Sequence, residues 1–206
     1  SSTEDAMNIT GKGDVTLELD GKNELISGSS TADGSHAGLS SERLDGTLTL
    51  TDADKDGGSL TAKGGYSKDS GYVSSDGICA KDLSIIDTSI TAVGGDVGGS
   101  LSYGGTGLSA DVLNMTGSSL SATGGSVNNS TADYSSGGLG LGIGNYDGLK
   151  SNISDSHISA IGGNSSSNRK NVEGGVGVYF FGTAADGYLI DHVTLLAQGG
   201  NAQASG

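Results

Sequence analysis

Three aspartates alternate in the stretch TDADKDGG, as Asp52, Asp54 and Asp56. The D-x-D-x-D-G spacing is the first half of a calcium loop, in which carboxylate oxygens converge on one ion. The twelfth position of such a loop, normally a bidentate glutamate, is Lys63, which excludes a complete helical calcium hand. The spacing predicts a Ca²⁺ site at the three aspartates, with a solvated acidic turn as the alternative. Neighbouring carboxylates are available to complete the ligand shell: Asp45 or Glu42.

Four of the seven tyrosines lie in segments of variable sequence that follow Gly-Gly pairs: Tyr66, Tyr72, Tyr103 and Tyr134. A tyrosine offers a flat apolar ring with a hydrogen-bonding tip, which suits stacking on sugar rings or filling a protein interface. These segments also carry Ser, Asn and Asp, which can bind hydroxyl groups. The four tyrosines are therefore candidate ligand-binding residues. The alternative is that each ring packs over its own segment.

The sequence contains no constellation typical of catalysis. A lyase would need a basic residue beside bound calcium and a hydrolase would need clustered carboxylates. The residue types that serve these roles occur singly along the chain: Arg43, Arg169, Asp82, Asp87, Asp111, Asp155, His36, His157 and His192. The single cysteine, Cys79, has no histidine near it and is expected to be a small filler residue in the place that Ser109 holds one repeat later. We therefore predict that the chain is not an enzyme.

Composition narrows the class of partner. The 206 residues include 39 glycines, no proline and no tryptophan, and carry a formal net charge of −14. An acidic chain is not expected to bind nucleic acid phosphates or anionic lipid, since both require a basic surface. No stretch approaches the roughly 18 to 20 apolar residues of a membrane span, so direct insertion is not expected.

A seven-residue motif recurs five times, with spacings of 30, 30, 38 and 37 residues. Its second position is Leu or Ile and its fourth is always Ala, so one face of a short strand is apolar. The copies are Ser59 to Gly65, Ser89 to Gly95, Ser119 to Gly125, His157 to Gly163 and Thr194 to Gly200. Repetition on this scale indicates a solenoid. The outward Ser and Thr columns of the motif would also suit an ice-binding face, although His157 and Leu196 interrupt them.

Two further aliphatic columns predict two more strands in each repeat. One lies five positions before the Leu or Ile of the motif, at Ile85, Met115, Ile153 and Ile190. The other follows a glycine, in the pairs Gly38-Leu39, Gly77-Ile78, Gly107-Leu108, Gly142-Ile143 and Gly177-Val178. The Gly-Gly pairs are expected at corners that need positive φ or leave no room for a Cβ. Near the end of the chain, Val178 and Phe180 have inward parity and are expected to plug the core.

The predicted fold is all-β: a right-handed parallel β-helix of about six coils, with three short strands per coil and long loops at one corner. We treat residues 1–206 as a single domain, with a cap and partial first coil at 1–37, five repeats at 38–200 and a tail at 201–206. The last coil exposes a strand edge, which we expect to be covered by more of a longer surface protein or by a partner.

The stretches AGL…LTL…GSLTAKGG and DGICAKDLSI…SITAVGG resemble the glycine-rich right-handed β-helix repeats of bacterial cell-surface adhesins and carbohydrate-binding proteins. The resemblance covers roughly residues 14–200 and implies an extracellular setting, often with calcium. We therefore expect a non-catalytic binding module that recognises a polysaccharide or a cell-surface glycan through the loop flank. The alternatives are a structural spacer, a polysaccharide-active enzyme and an ice-binding protein.

Overall fold

The inward Leu or Ile and the inward Ala of the repeated motif stack from coil to coil along the molecule. The computed structural model describes residues 4–29, 36–68, 75–100, 103–144, 150–169, 171–182 and 187–204. These residues form strands and no helix, and their parallel sheets stack as a β-solenoid of about five turns. The predicted all-β solenoid is confirmed, whereas the right-handedness of the winding stays a prediction.

The motif itself forms one wall of the solenoid, which we call the alanine sheet. Within the described residues it has six parallel strands: Lys22–Ile26, Ser59–Lys63, Ser89–Val93, Ser119–Thr123, His157–Ile161 and Thr194–Gln198. Ile90 pairs with Leu60 and Leu120, and Ala92 pairs with Ala62 and Ala122. Like residues therefore stack in buried columns at the strand spacing of about 4.8 Å.

The second wall, the long sheet, contains both of the other aliphatic columns. Among the described residues its strands are Met7–Asn8, Val15–Glu18, Leu39–Ser41, Thr47–Thr51, Ile78–Ile86, Leu108–Thr116, Leu141–Ile143, Ser151–Ser154, Val178–Phe180 and Tyr188–Asp191. In two coils the predicted pair of strands runs as one nine-residue strand, whereas insertions divide it elsewhere.

The register of the long sheet corrects one alignment made from the sequence. Leu108 pairs with Leu141, so Gly140-Leu141 is the counterpart of Gly107-Leu108, and Gly142-Ile143 is not. The two candidate pairs lie two residues apart and have the same inward parity, so the alternation of apolar residues could not distinguish them.

A sharp corner with left-handed backbone joins the long sheet to the alanine sheet. Asp87, Gly117, Asp155 and His192 have φ of 52°, 61°, 48° and 51°. Glycine tolerates this region freely, and Asp and His enter it more often than other side chains. The following residue is buried in three coils, where the N–H of Thr88 donates to Ser118 Oγ at 3.2 Å and that of Ser118 donates to the next serine hydroxyl at 3.2 Å. We call this edge the left-handed corner.

The segments predicted as long loops pair with one another as a second stack, which we call the serine lobe. Its outgoing strands are Ser67–Lys68, Val97–Gly98, Val127–Ser130, Ser165–Ser167 and Ala202–Ala204, and its return strands are Tyr134–Ser136 and Asn171–Glu173. Buried serines face each other between the two arms: Ser67 Oγ lies 3.3 Å from Ser75 Oγ, and Ser165 Oγ donates to Ser135 Oγ at 3.0 Å. Hydrogen bonding between small hydroxyls thus closes the lobe.

A neck of paired glycines separates the serine lobe from the apolar core. The N–H of Gly105 donates to the carbonyl of Gly95, that of Gly125 to Gly105, and that of Gly138 to Gly125, at 3.0, 2.7 and 2.9 Å. A Cβ on Gly125 would overlap the carbonyl oxygen of Gly95. Of the two reasons the sequence offered for the Gly-Gly pairs, lack of room for a Cβ is the one that applies here, because their φ angles are not positive.

The two ends of the stack differ. In the first coil the inward place of Leu60 is taken by Asn23, whose amide donates to the carbonyls of Ser59 at 3.1 Å and Asp20 at 3.2 Å. The short strands Gly11–Lys12 and Leu44–Asp45 add a further pair there. In the last coil Val178 packs against the core as predicted. Phe180 is not a core plug: it is 37% exposed and packs on Tyr188, with ring centroids 4.6 Å apart.

Candidate binding surfaces

The return arm of the serine lobe brings two of the predicted tyrosines together. Tyr103 forms a parallel bridge with Ser136, on the strand that also carries Tyr134. Because Ser135 points into the lobe, its neighbours Tyr134 and Ser136 point outward. The two tyrosine rings are tilted by 48° with centroids 5.7 Å apart, and Tyr103 is 46% exposed.

A carboxylate lies at the end of this aromatic pair. The hydroxyl of Tyr134 donates to Glu173 Oε2 at 2.6 Å. This hydrogen bond, together with burial and the charge of Glu173, raises the pKa of the Tyr134 hydroxyl, which therefore stays neutral. We call Tyr103, Tyr134 and Glu173 the tyrosine face. It offers an aromatic surface beside hydrogen-bond acceptors.

Tyr66, the third predicted tyrosine that the structure describes, does not join this face. Tyr66 lies beside the outgoing strand Ser67–Lys68, on the opposite arm of the lobe. Its hydroxyl lies 2.6 Å from the position that a Cβ on Gly98 would take, so its ring covers that glycine. This contact matches the packing alternative for Tyr66, although its side chain is still 40% exposed. Tyr72 lies outside the described residues.

Asp52 organises the acidic turn through backbone hydrogen bonds. Its Oδ2 accepts the N–H groups of Gly57 at 3.1 Å and Gly58 at 2.8 Å, and its Oδ1 accepts the N–H of Asp56 at 3.3 Å. Burial acts to raise the pKa of Asp52, but these hydrogen bonds outweigh burial and hold the pKa below its usual value. Asp52 therefore remains a carboxylate while nearly buried.

The acidic turn places two of its three predicted ligands together with a residue from another coil. Oxygens of Glu18, Asp52 and Asp54 all lie within 4.8 Å of one another, and Glu18 Oε1 also accepts the N–H of Ala53 at 2.7 Å. Asp56 is not in this group. The charge of Asp54 raises the pKa of Asp56, with smaller contributions from burial and from Asp20. Carboxylate oxygens on this spacing fit a hard cation such as Ca²⁺.

Glu18 was not predicted from the sequence, and strand register explains its position. Glu18 pairs with Thr51, the residue immediately before Asp52. Aligning Leu17 with Leu50 in the inward column would have brought Glu18 to the acidic turn. The two ligands considered from nearby chain lie elsewhere: Asp45 is in the strand paired with Gly11–Lys12, and Glu42 lines a separate cavity with Cys79.

A groove of about 790 Å³ follows the left-handed corner across successive rungs, where a rung is one strand layer of the stack. It begins at the acidic turn and passes Asp87 and Asp155 to His157 and His192. Asp87 forms an ion pair with Lys55, with Nζ 3.1 Å from Oδ2. We call this feature the corner groove. Its left-handed residues occupy the second position before four of the five copies of the seven-residue motif, so they form a column of their own in the sequence.

Cys79 matches its interpretation as a filler residue. It pairs in register with Ser109, as the repeat predicted. Burial and the charges of Asp76 and Glu42 raise the pKa of the Cys79 thiol, which disfavours the nucleophilic thiolate. Burial also raises the pKa of Asp76 to about 7, although its carboxylate accepts the N–H of Thr106 at 2.7 Å.

No protein-family model, curated protein or solved structure matches this chain. Among the described residues, no helix is long and apolar enough to cross a membrane. Function must therefore be inferred from the chemistry of the surfaces themselves.

Proposed function

We propose that the chain is a non-catalytic extracellular binding module that recognises a polysaccharide or cell-surface glycan through the tyrosine face. The observation that carries the proposal is the pair formed by exposed Tyr103 and half-buried Tyr134, with Glu173 at its end. The apolar face of a sugar ring stacks on tyrosine, while carboxylate and hydroxyl oxygens accept hydrogen bonds from sugar hydroxyls. The return strands hold these groups in place, so little ordering is needed on binding.

Charge restricts the kind of glycan. With a net charge of −14 and Glu173 within the tyrosine face, the protein repels sulfated and uronic acid polymers. Neutral sugars and amino sugars are the classes that the face accommodates. The same charge argues against nucleic acid as a partner.

The corner groove supports binding better than hydrolysis. A hydrolase needs one carboxyl group that donates a proton and a second that stays ionised. Asp87, one of the carboxylates along the corner groove, is engaged in an ion pair with Lys55. We therefore propose no catalytic role for Asp87 or Asp155.

We also propose that Ca²⁺ binds at Glu18, Asp52 and Asp54, with water completing its coordination shell. Thermal unfolding should occur at higher temperature with Ca²⁺ than with a chelator. Asp54→Asn should abolish that difference, whereas Asp45→Asn, outside the cluster, should retain it. Equal unfolding temperatures with and without Ca²⁺ would exclude the site.

A structural spacer is the competing function, and the continuous stack of core, neck and lobe favours it. A spacer requires the same scaffold but has no use for an exposed aromatic pair. It therefore predicts no ligand for the tyrosine face. Binding by the isolated chain separates the two proposals.

The last coil supports a separate proposal about contacts at the end of the stack. Leu189, Ile190, Leu195 and Leu196 are all exposed there. Exposed strands with apolar side chains invite pairing with other chains. We propose that further chain or a protein partner covers them.

The proposed function is tested by a glycan array probed with the purified chain, once with Ca²⁺ and once with a chelator. Saturable binding to neutral or amino-sugar glycans is expected. The Tyr103→Ala/Tyr134→Ala variant should lose it. If no glycan binds under either condition, the glycan proposal fails and the spacer becomes the better account.

A further inference from the structure

The far end of the corner groove brings together two histidines and an aspartate that the glycan proposal does not use. Ser154 pairs with Asp191 and His157 pairs with Thr194, so Asp155 and His192 are neighbours on adjacent rungs. His157 lies two residues after Asp155 and lines the same groove. All three of these side chains are exposed.

One of the histidines is already oriented by a carboxylate. His192 Nδ1 lies 2.9 Å from Asp191 Oδ1. In the neutral imidazole, a proton on Nδ1 donates to Asp191 and leaves the lone pair of Nε2 free. A carboxylate that holds the second ring nitrogen is the usual partner of a metal-bound histidine, because it fixes the tautomer and the ring orientation. This close contact between His192 and Asp191 is a separate observation from the place of the three side chains along the groove.

We propose that Asp155, His157 and His192 bind a borderline divalent metal ion, best represented by Zn²⁺. Rungs lie about 4.8 Å apart, and Zn²⁺ binds imidazole nitrogen at about 2.0–2.1 Å. The donor atoms of the three residues do not all lie within 4.8 Å of one another in the structure, so binding requires these exposed side chains to rotate toward one ion. The three protein ligands leave one tetrahedral position for water. Asp191 is a positioning residue in this arrangement.

The corner groove then carries two proposed cation sites that prefer different metal ions. Imidazole nitrogen favours zinc and similar metals, whereas carboxylate oxygen alone favours calcium. The site formed by Glu18, Asp52 and Asp54 lies at the other end of the groove and has no nitrogen ligand. The zinc proposal does not depend on calcium binding or on glycan binding.

Calorimetric titration of the full chain with ZnCl₂ near neutral pH, without an affinity tag, tests the proposal. His157→Ser replaces His157 with the residue type of its paired position, Ser119. His192→Asn keeps the backbone conformation, because Asn tolerates the positive φ of this position. Asp191→Asn tests the positioning residue. Asp87→Asn is the matched control, because it removes a carboxylate from the same groove outside the proposed site. Circular dichroism verifies that each variant is folded.

The wild-type chain should bind one Zn²⁺. Affinity should fall by roughly tenfold to a hundredfold in His157→Ser, His192→Asn and Asp191→Asn, and excess Ca²⁺ should not displace the zinc. Asp87→Asn should bind like the wild type. The proposal is overturned if the wild type shows no saturable binding. It is also overturned if the His157→Ser/His192→Asn double variant binds as tightly as the wild type, or if Asp87→Asn lowers affinity as much as the histidine variants do.

Discussion

The backbone N–H of Gly125 donates to the carbonyl oxygen of Gly105 at 2.7 Å, across the neck that joins the serine lobe to the core. One glycine leaves the coil and the other returns to it from the lobe of the preceding rung. The same alternation continues through Gly138 and Gly163, so each rung locks the next. Glycine is required here because a Cβ on Gly125 would overlap the carbonyl oxygen of Gly95.

Gly125→Ala should destabilise the fold by about 3 kcal/mol or more, because its Cβ would overlap the carbonyl of Gly95 and displace backbone rather than a flexible side chain. Gly28→Ala is the matched control: nothing lies within 4 Å of its Cβ position and its φ is not positive. Its effect should stay below about 1 kcal/mol. Urea denaturation measures both, and equal effects would show that close approach does not explain the neck glycines.

The cost of deleting the motif leucine should depend on the coil. Leu120 is fully buried between two rungs, whereas Leu195, the same position in the last coil, is 43% exposed. Leu120→Ala should lower the free energy of unfolding by about 2–5 kcal/mol. Leu195→Ala should lower it by less than about 1 kcal/mol, as for a surface change. A large loss from Leu195→Ala would mean that another chain covers the last coil.

The scaffold could be predicted from the sequence because its physical requirement repeats. Each of the five coils that carry the seven-residue motif has an inward Leu or Ile and an inward Ala at one register, so Leu60, Ala62 and their counterparts occupy fixed spacings. Parity does not fix register, which is why Gly142-Ile143 was chosen over Gly140-Leu141. A second Gly-Gly pair also precedes the first strand of three coils, as in GGTGL and GGLGL.

The binding sites were harder to predict because they combine residues that each occur in only one coil and so form no repeating column. Asp52 and Asp54 were found through local spacing, but Glu18 reaches them through strand pairing between coils. The tyrosines were grouped because all follow Gly-Gly pairs. The sequence does not show that each segment of the serine lobe has an outgoing and a return arm. This arrangement places Tyr66 and Tyr103 on different sides of the lobe.

The pKa of Asp76 predicts how stability depends on pH. Burial raises it to about 7 in the folded chain, from a usual value of 3.8. Between pH 3.8 and about 7 the Asp76 carboxyl is protonated in the folded chain and ionised in the unfolded chain. The free energy of unfolding therefore falls as pH rises through this range. Asp76→Asn removes the penalty while its side-chain oxygen can still accept the N–H of Thr106.

At pH 8, Asp76→Asn should therefore be more stable than the wild type, by an amount on the order of 4 kcal/mol, since each pKa unit contributes about 1.4 kcal/mol. Near pH 4 the difference should approach zero. Thermal unfolding at several pH values measures it. A difference that does not change with pH would contradict the account of Asp76.

The tyrosine face is tested most directly by the dissociation constant of the strongest array glycan, measured by calorimetry for the wild type, Tyr103→Ala and Tyr66→Ala. Both tyrosines are partly exposed and belong to the serine lobe, but only Tyr103 stacks beside Tyr134. Loss of a stacking ring should weaken binding about tenfold or more for Tyr103→Ala and leave Tyr66→Ala close to the wild type. Equal affinity for the wild type and Tyr103→Ala would contradict the central claim, as would a failure of the wild type to bind any glycan.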